Sequence, residues 1–176
     1  MSHEALKKKI RDIPDYPQKG IIFRDITTLL RDKGAFREVL NILVDRYRDR
    51  PIDAVAAVEA RGFIFGGALA GALNVGFIPI RKPGKLPSET ISETYTLEYG
   101  TDTVEIHTDA IKANQNILLV DDVIATGGTL AAAGRLIKKA NGNVYGVAAV
   151  IELAYLNGRQ RLEEYDIFSI IRYDGE

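Results

Sequence analysis

The chain has 176 residues, with 23 Lys and Arg against 24 Asp and Glu and a formal net charge of −1. That balance excludes the basic excess or stripe of a general nucleic-acid binder. A hydrophobic fraction of 46 % with 27 % charged residues excludes a disordered chain, and the length suits one domain of roughly 100–200 residues. With no cysteine and only His3 and His107, disulfide frameworks, cysteine nucleophiles and zinc centres drop out.

Met1 to Arg11 holds Lys7, Lys8 and Lys9 with no apolar core behind them, so it is no secretory signal. Residues 4–12 are expected to form a short basic helix ending before Pro14. Phe36, Val39, Leu40, Leu43 and Tyr47 recur at helical spacing, which predicts an amphipathic helix over 34–50. Asp53–Val58 is a short apolar, β-branched run and predicts a buried strand. Gly62 to Ile80 runs 19 residues without a charge, nominally a membrane-crossing length. Five glycines, Asn74 and Pro79 divide it into a buried helix over 62–73, a turn and a buried strand over 76–80. A soluble, cytoplasmic protein with no membrane partner is expected.

Thr94–Tyr99 and Thr103–His107 alternate apolar and polar residues around Gly100-Thr101-Asp102, the pattern of a hairpin. A strand over Asn116–Val120, a helix over Gly127–Ala140 and a strand over Val144–Ile151 complete the pattern. Strands alternating with helices predict an α/β fold, a mostly parallel twisted sheet flanked by helices with right-handed crossovers. In such sheets ligands bind beyond the carboxyl ends of the strands, so motifs there weigh most.

One such motif is the run from Leu118 to Thr129. A buried strand ends in Asp121 and Asp122, and adjacent carboxylates repel unless a cation or hydroxyl donors satisfy them. Thr126-Gly127-Gly128-Thr129, with Ala125 before it, opens the next helix, where unpaired amides and the positive dipole end receive an anion. Carboxylates for a diol and amides for a phosphate describe a cradle for a phosphorylated ribose. A plain glycine turn with an Asp cap is the bland alternative, and the doubled carboxylate weighs against it. No Gly-x-Gly-x-x-Gly occurs, and Gly84-Lys85 is followed by Leu86, so dinucleotide and P-loop fingerprints are missing.

Two further segments sit at strand ends. Val58-Glu59-Ala60-Arg61-Gly62 places an arginine beside a second helix start, a good seat for pyrophosphate although Arg61 taken alone is an ordinary surface residue. Arg81-Lys82-Pro83-Gly84-Lys85 joins three cations to Pro and Gly, either a solvated basic loop or a lid that closes over an anion.

The run LLVDDVIATGGT resembles the phosphoribosyl-pyrophosphate (PRPP) motif of the type I phosphoribosyltransferase family. Four more segments are similar to its adenine-specific members. They are Gly20–Ile26, the loop Arg81–Pro87, Leu97-Glu98-Tyr99-Gly100 and Glu152-Leu153, so the similarity spans about residues 14–172. The resemblance implies the type I phosphoribosyltransferase fold in one domain, 1–176, with a mobile loop and a base-binding hood from roughly 1–32 and 150–176. It implies an enzyme that joins adenine to PRPP, giving AMP and pyrophosphate in purine salvage.

By the same resemblance, Ala125, Thr126, Gly127, Gly128 and Thr129 take the 5′-phosphate and Asp121 and Asp122 the ribose. Glu59, Ala60, Arg61, Arg81, Lys82 and Lys85 serve pyrophosphate, with a cis peptide expected at Ala60–Arg61. Ile22, Phe23, Arg24 and Leu153 hold adenine, and Glu98 acts near N7. Outside the family argument Phe23 and Leu153 are core residues and Glu98 a strand's solvent face. Mg2+ is expected through PRPP, pyrophosphate and water rather than a protein cage. A homodimer is expected, with the 34–50 helix as a contact. The alternatives are a transferase for hypoxanthine, guanine or xanthine, or a PRPP-sensing regulator, against which the length leaves no room for a DNA-binding domain.

Overall fold

The computed structural model describes residues 2–96 and 100–175. It opens with helix α1 (His3–Lys7), capped by the Ser2 hydroxyl, which accepts from Ala5 N at 3.2 Å. The helix expected over 4–12 is shorter because Arg11–Ile13 instead forms strand β1, paired antiparallel with β2 (Phe23–Asp25). Arg11 lies opposite Asp25 in that ladder, and its Nη2 donates to Asp25 Oδ2 at 2.5 Å. A one-turn helix has little cooperativity of its own, so the ladder and ion pair win locally.

Helix α2 (Thr27–Arg31) leads to α3 (Lys33–Tyr47), where Asp32 Oδ1 accepts from Gly34 N at 2.9 Å and Ala35 N at 3.1 Å. This Asx cap starts α3, and Ala35, Val39, Leu43 and Tyr47, spaced by four, form its buried face. Phe36 and Leu40 are only half-buried at the stripe's margin.

The sheet follows. Strand β3 (Ala54–Val58) is buried along its length, α4 (Gly62–Leu73) ends on Asn74 in the left-handed region, and β4 (Gly76–Ile80) returns beside β3. An antiparallel hairpin, β5 (Thr90–Thr96) and β6 (Thr101–His107), comes next. Then run β7 (Asn116–Ile124), α5 (Gly128–Lys139), β8 (Asn143–Leu153), a 3-10 turn over Gly158–Leu162 and β9 (Ile167–Tyr173).

The five-stranded sheet is parallel at every pairing, in the order β4-β3-β7-β8-β9. Its two faces carry separate cores. α3 and α4 cover Val55, Ala57, Leu118 and Val120, whereas α5 and the hairpin cover Ala56, Val58, Ile117 and Leu119. The chain therefore switches faces between β3 and β7, and the loops leaving their carboxyl ends part to open a crevice.

Two boundaries near the cleft differ from expectation. Strand β7 does not stop before the acids; it runs through them, with Asp121 opposite Ala149 and Ile124 opposite Glu152. Beyond Val120 the ladder continues on the β8 side alone, and that pairing carries the strand through acids whose low β-propensity would not predict it. The second hairpin strand begins earlier, since Thr96 pairs with Thr101 and Asp102 with Tyr95, placing Asp102 in a strand; the expected strand residues 97–99 lie outside the described residues. Strands β1, β2 and β9 have no counterpart in the periodicity. The first two are too short to show a period, and β9 is the half-buried edge of the sheet.

Both chain ends come together, for Lys7 Nζ donates to Arg172 O at 3.0 Å and the Arg24 guanidinium lies 4.2 Å from the Tyr173 ring centroid. No helix among the described residues is long and apolar enough to cross a membrane.

The Arg11 hydrogen bond, with further donors at Thr27, holds the Asp25 carboxyl at about 2 against an ordinary 3.8. A depressed acid stabilises the fold fully above its unfolded pKa, and this contribution is lost as pH falls from near 4 through about 2. Asp25→Asn is expected to cost about 1–2 kcal/mol at neutral pH. In urea titrations the gap from the parent protein should close between pH 4 and 2.

Candidate active site

A cleft of about 290 Å³ opens where the β3 and β7 ends diverge. Asp121, Asp122 and Ala125–Thr129 line it from β7 and the α5 start, and Glu59, Ala60 and Arg61 from the β3 end. Lys82, Tyr95 and Asp102 close it from the loop and hairpin. Segments more than sixty residues apart in sequence thus share one wall.

Both helices that begin here lack a side-chain cap among the described residues: α4 starts after Arg61, and α5 after Gly127 at φ 77°. At α4 Phe63 N and Ile64 N already donate to Ala60 O and Arg61 O at 3.3 and 3.1 Å, so what the two helix starts share is the positive end of the helix dipole, which makes the cleft receptive to anions.

The acids complement that charge. Asp122 is buried and accepts from Arg61 Nε, while its own N–H donates to the Asp121 carboxylate at 2.8 Å. Burial, followed by the Asp122 charge, pushes the Asp121 carboxyl well above its usual range. For Arg61 burial works against the charged form, but the Asp122 hydrogen bond and the charges of Asp122, Asp121 and Asp25 outweigh it and raise its pKa.

Glu59 has its carboxylate turned to the neighbouring loop. It accepts from Lys82 N at 2.5 Å, Lys85 Nζ at 3.0 Å and Arg81 Nη2 at 3.4 Å. Burial alone would raise its pKa, and these donors reverse the shift downward. Arg81 also donates to Lys85 O at 3.1 Å, so one acid gathers the loop into a turn. The cis peptide expected at Ala60–Arg61 is instead Glu59–Ala60. Glu59 N still donates to Ile80 O at 3.0 Å as the sheet's last rung, so the chain leaves the strand directly after it.

Sequence reasoning missed Tyr95 and Asp102. Asp102 accepts from Lys82 Nζ and from the Tyr95 hydroxyl at 3.1 Å, and that hydroxyl lies 3.0 Å from Thr129 Oγ1. The chain Lys82–Asp102–Tyr95–Thr129 ties loop, hairpin and α5 start together. Its one signal in the sequence is the alternation that turns Tyr95 inward.

The remaining predicted residues lie apart from this lining. The Arg61 guanidinium is 5.9 Å from the Phe23 ring centroid, which puts Phe23 at the cleft's rim with Tyr16 edge-on at 5.3 Å. Arg24 alternates to the other side of β2, where it pairs with Asp12 at 2.6 Å, leaving its main chain for any ligand on the Phe23 side. Ile22 precedes Phe23 and is half-buried; Leu153 ends β8, half-buried against the α3–α4 core. Glu98 lies outside the described residues.

The phosphoribosyl transferase domain model matches residues 25–174 of the chain. An adenine phosphoribosyltransferase of Thermotoga neapolitana is 58 % identical over 168 residues, covering 96 % of this chain and 99 % of the relative. The crystal structure of the adenine phosphoribosyltransferase of Thermoanaerobacter pseudethanolicus superposes with a TM-score of 0.95 at 49 % identity, over 98 % of this chain and 100 % of that one. That of Saccharomyces cerevisiae, complexed with D-2,5-dideoxy-2,5-imino-altritol 1,6-bisphosphate and adenine, gives 0.90 at 40 % identity, over 96 % and 98 %. With its parallel sheet, its carboxylate pair and its two anion-receptive helix starts, the chain belongs to the adenine phosphoribosyltransferases of the phosphoribosyltransferase family.

Proposed function

We propose that the protein transfers the 5-phosphoribosyl group of PRPP to N9 of adenine, giving AMP and pyrophosphate. The carrying observation is the single cleft that joins the Asp121–Asp122 pair to two uncapped helix starts.

In this reading the amides of Ala125–Thr129 take the 5′-phosphate, and Asp121 and Asp122 hold the ribose hydroxyls. Ala60 and Arg61 with Arg81, Lys82 and Lys85 receive pyrophosphate, and Glu59 serves it by positioning those cations. Adenine stacks on Phe23 with Leu153 on its other face, while the main chain at Ile22 and Arg24 reads its edge.

N9 bonds to C1′ as the C1′–oxygen bond breaks and its electron pair leaves with pyrophosphate. The proton that adenine loses is managed near N7, a role carried by Glu98 through the family likeness alone. Catalysis is positioning plus charge: cations meet the leaving group, and the carboxylates favour the positive charge developing on the sugar. A loop closing over the cleft keeps water from competing with the purine. The segments at both chain ends, roughly 1–32 and 150–176, act as the hood over the base.

Mg2+ is the proposed cofactor, and the donor set suits it. The cleft offers two adjacent carboxylates, one already committed to Arg61, which fits an ion carried on substrate oxygens and water. Bound so, it supplies neutralisation of pyrophosphate charge. A cytoplasmic homodimer is proposed as well. Support for the dimer comes from the side chains of Ile64, 41 % exposed, and Phe77, 36 % exposed, near α4 and the sheet edge, more than from the polar outer face of α3.

Pyrophosphate release measured with adenine, hypoxanthine, guanine and xanthine tests the reading directly. Release with adenine alone is expected; another preferred purine would overturn the specificity, and silence with all four the enzyme. Asp122→Asn should lower kcat on the order of 10²-fold while adenine KM stays within about twofold, because one preorganised charge at the reacting sugar is removed. Glu59→Gln leaves the 81–85 cations unheld, so steady-state kinetics should show KM for PRPP rising about tenfold, the scale of a lost charged hydrogen bond, with adenine KM unmoved.

A further inference from the structure

We infer that the turn 157–159 is a positioning element for the phosphate cradle, held by the ion pair of Arg159 with the buried Glu152; the inference rests on the phosphoribosyl-transfer reading above. The turn meets the cradle backbone to backbone. A Cβ on Gly127 would lie 2.4 Å from Gly158 O, and a Cβ on Gly158 would lie 2.2 Å from Ala125 O and 3.0 Å from Gly127 N. No side chain fits between these strands of backbone, so the position of Gly158 sets that of the Ala125–Gly127 peptides. Asn157, at φ 54°, makes the reversal that brings Gly158 in.

The turn is fixed from behind. Arg159 Nε and Nη2 donate to the two oxygens of Glu152 at 2.7 Å each, the bidentate fork that sets orientation as well as distance. Glu152 is 2 % exposed, and the Ser169 hydroxyl also donates to it. Arg159 Nη1 reaches Ile167 O at 3.4 Å, and Leu162, fully buried, pins the far end of the turn in the α5 core.

Glu152 stands opposite Ile124 in the sheet, one strand from the root of the cradle, and immediately before Leu153. A carboxylate so enclosed needs a cation, for a lone charge there would be costly; Arg159 is the bidentate partner, with Arg172 Nη1 a more distant second at 3.8 Å. The Arg159 hydrogen bond keeps it ionised against the opposing effect of burial. None of these groups lines the cleft among the described residues, so Gly158, Arg159 and Glu152 act through the amides they place.

The consequence is selective: the pair governs the grip on the 5′-phosphate, not on pyrophosphate, whose seat lies on β3 and the 81–85 loop. Calorimetric titration with ribose 5-phosphate and, separately, with pyrophosphate tests this in Gly158→Ala, Arg159→Ala and Arg159→Lys. Gly158→Ala and Arg159→Ala should weaken ribose 5-phosphate about tenfold or more, Arg159→Lys by less, with pyrophosphate within about twofold throughout. KM for PRPP should rise in the same order while adenine KM holds. Equal ribose 5-phosphate affinity in the variants, or parallel loss of both ligands, overturns the inference. If Gly158→Ala fails to fold, the Arg159 pair decides alone. A parent protein that binds no ribose 5-phosphate would instead bring down the reading on which the inference rests.

Discussion

Two carboxylates side by side at the end of a central, buried strand are an unfavourable arrangement, and the contact that makes it tenable is Arg61 on Asp122. The arginine comes from the end of β3, the acids from the end of β7, and only the adjacency of those strands in a parallel sheet brings them together. Asp122 is paired with Arg61, whereas the carboxyl of Asp121, half-buried beside it, is held well above its usual range by burial and by the Asp122 charge. The same divergence of strands supplies the space for a ligand and aims two helix starts into it. Fold, charge and cleft therefore share one cause, the change of face between β3 and β7.

Around this centre the structure uses acids to hold cations near where anions would bind. Glu59 gathers Arg81, Lys85 and the Lys82 amide, and Asp102 holds the Lys82 ammonium. Each cation is thereby kept close to the cleft without a ligand, and a polyanion can compete for it with a larger charge. Tyr95 extends the arrangement to Thr129, so the hairpin is hydrogen-bonded to the helix start proposed as the phosphate cradle. On the opposite side of that cradle, Gly158 presses backbone against backbone. The cradle is thus supported from two sides by elements far apart in the chain.

Much of this was legible in the residues themselves. Six of the central elements followed from period and punctuation: the buried run at 53–58, the helix and strand of the glycine-divided stretch 62–80, the strand and helix around the acids and the strand at 144–151. The Asp-Asp and Thr-Gly-Gly-Thr groups announce their chemistry because no other use of those residue types is as satisfactory at a strand-to-helix junction. The placement of Arg61 and the 81–85 cations at strand ends carried over for the same reason. Arg24 shows where such reading stops: its neighbour Phe23 faces the cleft's rim, but strand alternation sends the arginine to Asp12 and Tyr173.

Local composition was sufficient for the α/β class and for the strand-to-helix junction at the acids, since propensity, periodicity and helix-end electrostatics act over a few residues. Packing alone decided the rest. That β7 continues through its acids, that Tyr95 and Asp102 belong to the site and that residues 157–159 support a loop thirty positions earlier all depend on contacts between segments distant in sequence. Such contacts leave no periodic trace, because whether a glycine is a turn or a wedge is settled by what the fold presses against it.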